Sequence, residues 1–216
     1  LAARRAAGAA IAATDAVMAG DIENAFCVVR PPGHHACREQ AMGFCFLNNV
    51  AIAARHALDA HGLERVAVVD FDVHHGNGTE NILSGDPRVL MVGIFQHPFY
   101  PYGDVDHPAA NMLNLPVPAY TKGMDVRELI EMMWMPRLEE FKPQMIFISA
   151  GFDAHRDDDL GQLRLNENDF AWITDRVRDV AKRHAHGRIV SMLEGGYNLD
   201  ALARSVEAHV RVLADL

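Results

Sequence analysis

Short runs of consecutive apolar residues alternate along this chain with longer stretches in which apolar positions recur every three or four residues. The runs at 25–29, 66–71, 89–95, 145–150 and 188–193 have the length and branched-residue content of strands buried on both faces. The periodic stretches at 1–19, 48–61, 124–141, 167–186 and 199–213 predict amphipathic helices, with Asn48 or Asn49 and Asn166 as N-terminal caps. Strands without alternation, separated by helices, predict an α/β fold in which a parallel sheet is covered by helices on both faces. Five prolines fall between positions 95 and 121. That segment is expected to be loop, interrupted by one short strand at 112–115 and placed to shape a pocket rim. No repeat or low-complexity linker divides the chain, so a single domain over 1–216 is expected.

Charge and cysteine usage narrow the functional classes. A formal charge of −9 argues against a phosphate-backbone binder and favours a cationic partner. Three cysteines with no CxxC pair make no disulfide framework, which points to a reducing, cytoplasmic setting. The Ala-rich opening is interrupted by Thr14 and Asp15, which favours an amphipathic helix over a signal peptide, and no apolar run reaches the length of a membrane span.

In open parallel sheets ligands bind beyond the carboxyl ends of the strands, and here those positions carry the unusual residues. After 25–29 comes Arg30-Pro31-Pro32-Gly33-His34-His35; after 66–69 comes Asp70-Phe71-Asp72-Val73-His74; after 145–150 comes Gly151-Phe152-Asp153; after 189–193 comes Glu194-Gly195-Gly196-Tyr197. Asp72 and His74 are one residue apart, so in an extended segment they face one way and can share a metal with Asp153. Three protein ligands leave a position for water, the arrangement of a catalytic zinc site. Two carboxylates and one imidazole also leave iron, cobalt or manganese open. His34 and His35 suit proton transfer at neutral pH, Asp70 suits the orientation of a neighbouring histidine, and Tyr197 suits a hydrogen bond to a carbonyl oxygen.

The motifs RPPGHHA at 30–36, GFCFLNN at 43–49, DFDVHHGNGT at 70–79, SAGFDAH at 149–155 and EGGYN at 194–198 closely resemble those of the zinc-dependent histone deacetylase family, in its class II and bacterial amidohydrolase branches. The resemblance implies the arginase/deacetylase-like three-layer fold and hydrolysis of acetyl-lysine, in a peptide or protein, or of an acylated polyamine. It implies Asp72, His74 and Asp153 as ligands of one Zn2+ and His35 as general base and then acid. His34 becomes its electrostatic partner, Asp70 pairs with His34, and Tyr197 polarises the scissile carbonyl. Asn77 stands where some members carry an aspartate, which should leave His35 less biased toward its charged form. Phe44 and Tyr100 match the aromatic walls of a substrate channel. Leu160, at the place of an acidic gatekeeper in polyamine-selective relatives, and Gly195 complete the substrate-binding positions.

Two departures stand beside the match. Gly93 and Phe95 replace a serine and a histidine of the family's monovalent-cation site, leaving K+ to Asp70 and backbone oxygens. The family also carries further chain before the helix at 1–19, so an N-terminally truncated deacetylase domain is expected. Two rivals are weighed. A dinuclear manganese ureohydrolase is suggested by Asp153-Ala154-His155-Arg156-Asp157, and a non-catalytic acyl-lysine-binding module is opposed by the presence of Tyr197.

Overall fold

The computed structural model describes residues 1–103 and 105–216. Six parallel strands form one sheet in the order β1-β6-β5-β2-β3-β4: β1 (Asn24–Cys27), β2 (Val66–Asp70), β3 (Val89–Gln96), β4 (Met112–Val117), β5 (Met145–Ala150) and β6 (Ile189–Leu193). The four central strands are buried at every position, as their unbroken apolar runs predict. Helices α1 (Ala2–Ala19) and α2 (Asn49–Asp59) pack on one face through Val17, Val50 and Leu58. The other face is covered by α4 (Gly123–Leu129), α5 (Met135–Phe141), α6 (Glu167–His184) and α7 (Leu199–Leu213) around Trp134, Phe152 and Phe170. The architecture is therefore the expected three-layer α/β fold.

Local chemistry sets where the elements begin and end. Asn48 caps α2 by accepting from Ala51 N at 3.0 Å, and Asn198 caps α7 by accepting from Ala201 N at 3.0 Å. Asn166 and Asp169 close a capping box at the start of α6. The expected helix at 124–141 forms over its whole length, but its middle turn, Ile130–Trp134, is π-helical and lies between α4 and α5. Pro136 lies just beyond it, and a proline removes one N–H from the ladder while its ring crowds the carbonyl four residues back. β4 runs two residues further than expected and contains Pro116, which is tolerated because β4 is an edge strand. Conversely, β1 stops at Cys27 and β2 at Asp70, each earlier than its apolar run. A short helix, α3 (Asn77–Leu83), follows the glycine-rich segment after β2 where no helix was expected.

One buried histidine ties the layers together away from the strand ends. His209 of α7 meets Thr174 Oγ1 of α6 at 2.7 Å through Nδ1 and Ser191 Oγ of β6 at 2.9 Å through Nε2. Burial pushes its pKa down to about 3. The unfolded chain therefore binds a proton between that value and the ordinary histidine pKa of about 6.5, while the folded chain does not, so stability falls as pH drops through this window. His209→Ala should cost about 2–4 kcal/mol near neutral pH. In urea unfolding, the stability gap between the two proteins should narrow by about 2 kcal/mol on going to about pH 5. A gap independent of pH would show that His209 is not buried in its neutral form.

Candidate active site

The carboxyl ends of β1, β6, β5 and β2 lie side by side in the sheet, and the segments leaving them meet in one buried cluster. Asp72 and His74 do not lie in an extended segment, since β2 ends at Asp70 and the chain bends at once. Their convergence has another cause: Asp72 Oδ1 accepts from the backbone N of His74 at 2.9 Å and lies 3.0 Å from His74 Nδ1. Asp153, just after β5, accepts from Val73 N through Oδ1 at 2.9 Å. Its Oδ2 lies 3.2 Å from His74 Nδ1 and is a buried oxygen with no hydrogen bond among the described residues. One donor atom from each of Asp72, His74 and Asp153 falls within 4.8 Å of the others.

The backbone leaves room for these carboxylates only because it lacks side chains at two points. A Cβ on Gly151 would collide with Asp72, and a Cβ on Gly195 would collide with Asp153 Oδ2. Gly195 also donates its N–H to Asp72 Oδ2 at 2.8 Å. Gly195 therefore supports the acidic cluster from β6 as well as lining the cavity.

Burial disfavours charge on every member, and pairing decides which members carry it. Burial alone would raise Asp72, but the charge of His34 and the hydrogen bonds and charge of His74 hold it well below the usual carboxylate range. Asp153 goes the other way, to about 6, because burial and the Asp72 charge outweigh the help of His74. Against its own burial, His74 is raised to about 10 by the carboxylates of Asp153 and Asp72, which lie 3.2 and 3.0 Å from its Nδ1 and favour the charged ring. A proton on His74 thus balances the two carboxylates, and a divalent cation would do the same with more charge. The orphaned oxygen of Asp153 and this N/O donor set fit such an ion.

The histidine pair is held from three sides. His34 Nδ1 donates to Asp70 Oδ2 at 3.0 Å, and its pKa stands well above the ordinary value because Asp72 and Asp70 outweigh its burial. His35 is pushed down to about 3, first by burial and then by the charge of His34. Its Nδ1 lies 2.7 Å from Asn77 Oδ1, while Asn77 Nδ2 donates to Cys37 Sγ at 3.5 Å and Met42 Sδ at 3.3 Å. The two sulfur acceptors orient the amide. His35 Nδ1 must then carry the proton, which leaves Nε2 with a free lone pair.

Phe44, Tyr100, Tyr197, His34, His35, Asp72, His74 and Gly195 line one cavity of about 40 Å3, the space of one or two waters. Phe44 stands at its mouth, 67% exposed, with a left-handed backbone (φ 64°). Gly43, also left-handed at φ 55°, lies against the His35 ring where a Cβ would collide. Tyr100 meets His35 edge to face at 5.1 Å between ring centroids, and burial raises the Tyr197 phenol above its ordinary pKa. Leu160 does not join them: it is 45% exposed and outside the cavity lining. His155 and Asp157 likewise stay apart from the acidic cluster. Among the described residues the one other group of three ligand atoms lying within 4.8 Å of one another is on the surface.

Three residues with no role expected from sequence hold this arrangement. Glu194 Oε2 accepts from Gly33 N at 2.7 Å and His34 N at 3.1 Å, and its Oε1 accepts from Ser149 Oγ at 3.2 Å, fixing the histidine loop to β5 and β6. Asp158 Oδ2 accepts from Tyr197 N at 2.6 Å and Asn198 N at 2.9 Å, fixing the tyrosine turn. Phe99 stacks on His74 at 5.3 Å. In the sequence Glu194 stood out only as the first residue of EGGYN, Asp158 only by following SAGFDAH, and Phe99 only by preceding Tyr100.

The sequence profile of the histone deacetylase domain matches residues 1–213. The chain is 44% identical over 203 residues to the histone deacetylase-like amidohydrolase of Pseudomonas aeruginosa, covering 91% of this chain and 53% of that protein. It is 43% identical over 240 residues to the type-2 histone deacetylase 2 of Dictyostelium discoideum, covering 99% and 14%. Identity to the mouse polyamine deacetylase HDAC10 is 40% over 223 residues, covering 98% and 33%. Among solved structures, the HDA15 HD domain superposes with a TM-score of 0.91 at 36% identity, covering 98% of this chain and 62% of that one. The chain thus spans about half or less of the length of these three curated relatives.

Glu194→Ala should leave three buried donors without an acceptor and lower stability by about 2–4 kcal/mol in chemical denaturation. Glu194→Gln, which keeps an acceptor for the two backbone N–H groups and can donate to Ser149, should retain most of that stability. Equal losses in the two variants would mean that the hydrogen bonds of Glu194 do not hold the loop.

Proposed function

The chain belongs to the histone deacetylase family, and on that premise we propose that it hydrolyses the amide bond of an acylated amine, with acetyl-lysine in a peptide as the leading substrate. The observation that carries this reading is that Asp72 and His74, whose donor atoms cluster with that of the buried Asp153, line one narrow cavity together with a neutral His35 and the Tyr197 ring. Asp72, His74 and Asp153 would hold Zn2+. When bound, it supplies Lewis acidity and lowers the pKa of a water at its open position.

The remaining work belongs to the protein's own groups. Phe44 and Tyr100 flank the cavity and exclude water from the methylene chain of the substrate, which delivers the acyl amide to the floor. The Tyr197 hydroxyl donates to the amide oxygen as negative charge develops there. His35 Nε2 removes a proton from the attacking water and passes it to the departing amine nitrogen; His35 Nδ1–H stays on Asn77 throughout. His34, held by Asp70, keeps positive charge beside the developing oxyanion. Asp158 positions Tyr197 by fixing its backbone N–H.

The test is release of free amine from an acetyl-lysine peptide by the zinc-loaded protein, with an acetylated polyamine as the comparison substrate. Tyr197→Phe should reduce kcat by about 10²–10³ and His35→Ala by about 10²–10⁴. Chelation should abolish turnover and added zinc restore it. A fully loaded, unsubstituted protein that releases no amine from either substrate would overturn the proposal.

A further inference from the structure

A second group of metal-ligating atoms lies on the surface, away from the strand ends, where the proposed chemistry makes no use of it. Asp15 projects from α1, His56 from the last turn of α2, and His61 from the loop that follows. Both imidazoles present Nε2 to the same carboxylate oxygen: Asp15 Oδ1 lies 2.6 Å from His56 Nε2 and 2.7 Å from His61 Nε2. The two rings stand 5.2 Å apart and nearly perpendicular, at 85°. Gly62, left-handed at φ 70°, turns the chain immediately after His61, whose ring reaches Asp15 of α1. All three side chains are open to solvent, with Asp15 51%, His56 25% and His61 26% exposed.

We propose that Asp15, His56 and His61 form a transition-metal site that takes Zn2+, with its remaining coordination position open to water, and that the ion joins α1 to α2. Two imidazole nitrogens and one carboxylate oxygen suit Zn2+, Ni2+ or Cu2+ and do not suit Mg2+ or Ca2+, which prefer sets of oxygens. The geometry is near to what a metal needs. Tetrahedral ligands at zinc bond lengths stand roughly 3.3 Å apart. The present N···O separations have to open by about 0.6 Å, a shift small enough for side-chain rotation alone at these solvent-facing positions.

The ligands come from two helices and a loop, so the ion would act as a clip. α1 is built largely of alanine and docks through small side chains such as Ala6, Ala7 and Ala10. The other end of α2 reaches the histidine loop, where Asn48 Nδ2 donates to Ala36 O at 3.1 Å and Asn49 Nδ2 to Pro31 O at 3.2 Å. A metal at the Asp15 end therefore fastens the helix that carries these loop anchors.

The decisive protein is the full chain with Asp153→Asn, which removes the orphaned ligand of the buried cluster and leaves the surface group intact. Titrated with Zn2+ against a chromophoric chelator, it should still bind one equivalent. At free zinc a hundredfold above its dissociation constant, its Tm should rise by roughly 5–10 °C. Adding His61→Gln, which keeps an N–H donor for Asp15 but removes the ligating imidazole, should abolish both the binding and the rise; Mg2+ should give neither. The unsubstituted chain should bind two equivalents and its His61→Gln variant one. An Asp153→Asn protein that unfolds cooperatively but binds no zinc, or zinc binding that survives His61→Gln unchanged, overturns the surface site. Loss of the buried equivalent alone would bear on the catalytic proposal and leave this one standing.

Discussion

The constraint on which the rest of the structure depends is electrostatic: four carboxyl groups, Asp70, Asp72, Asp153 and Glu194, are buried together at the ends of parallel strands. An unpaired buried charge costs several kcal/mol, so each group must have a partner or hold its proton. Asp70 takes His34, Asp72 takes the His74 ring and two backbone N–H groups, and Glu194 takes two backbone N–H groups and a serine. Asp153 has one backbone donor on Oδ1 and leaves Oδ2 facing His74 without a hydrogen bond. That residual imbalance is what makes the cluster a place for a cation.

The surrounding elements serve this arrangement. Continuous apolar strands fix the sheet and deliver the acidic residues to one end, while Gly151 and Gly195 let the backbone approach where any side chain would collide. The start of α2 ties down the histidine loop through Asn48 and Asn49. Asn77, Cys37 and Met42 set the tautomer of His35, a role that depends on an amide whose oxygen and nitrogen face chemically different neighbours. The aromatic side chains Phe44, Tyr100 and Tyr197 thus line the same small cavity as His34, His35, Asp72 and His74.

Much of this was legible from sequence for a physical reason. Buried parallel strands are unbroken apolar runs, and ligand-binding residues follow them directly, so the runs before Asp72, Asp153 and Glu194 marked both the sheet and the floor of the site. Where the outcome depended on distant parts of the chain, the sequence was silent. Asp158 lies 39 residues before Tyr197 and is joined to it only by the fold. The short α3 was hidden by Gly76 and Gly78, and the π-helical stretch by an apolar period that continues across Pro136. The convergence of Asp72 and His74 was expected from strand periodicity but arises from a bend closed by the Asp72 carboxylate. Leu160 sits near the motifs in sequence yet turns to solvent.

The most direct test of the account is the thermal stability of the buried cluster with and without a cation. It is best measured in a His61→Gln chain, so that the surface histidines do not contribute. The account predicts that zinc raises Tm and that Asp72→Asn removes most of that rise, because the ion and the carboxylate balance one another. A Tm indifferent to zinc, or an equal response in the Asp72→Asn protein, would contradict it.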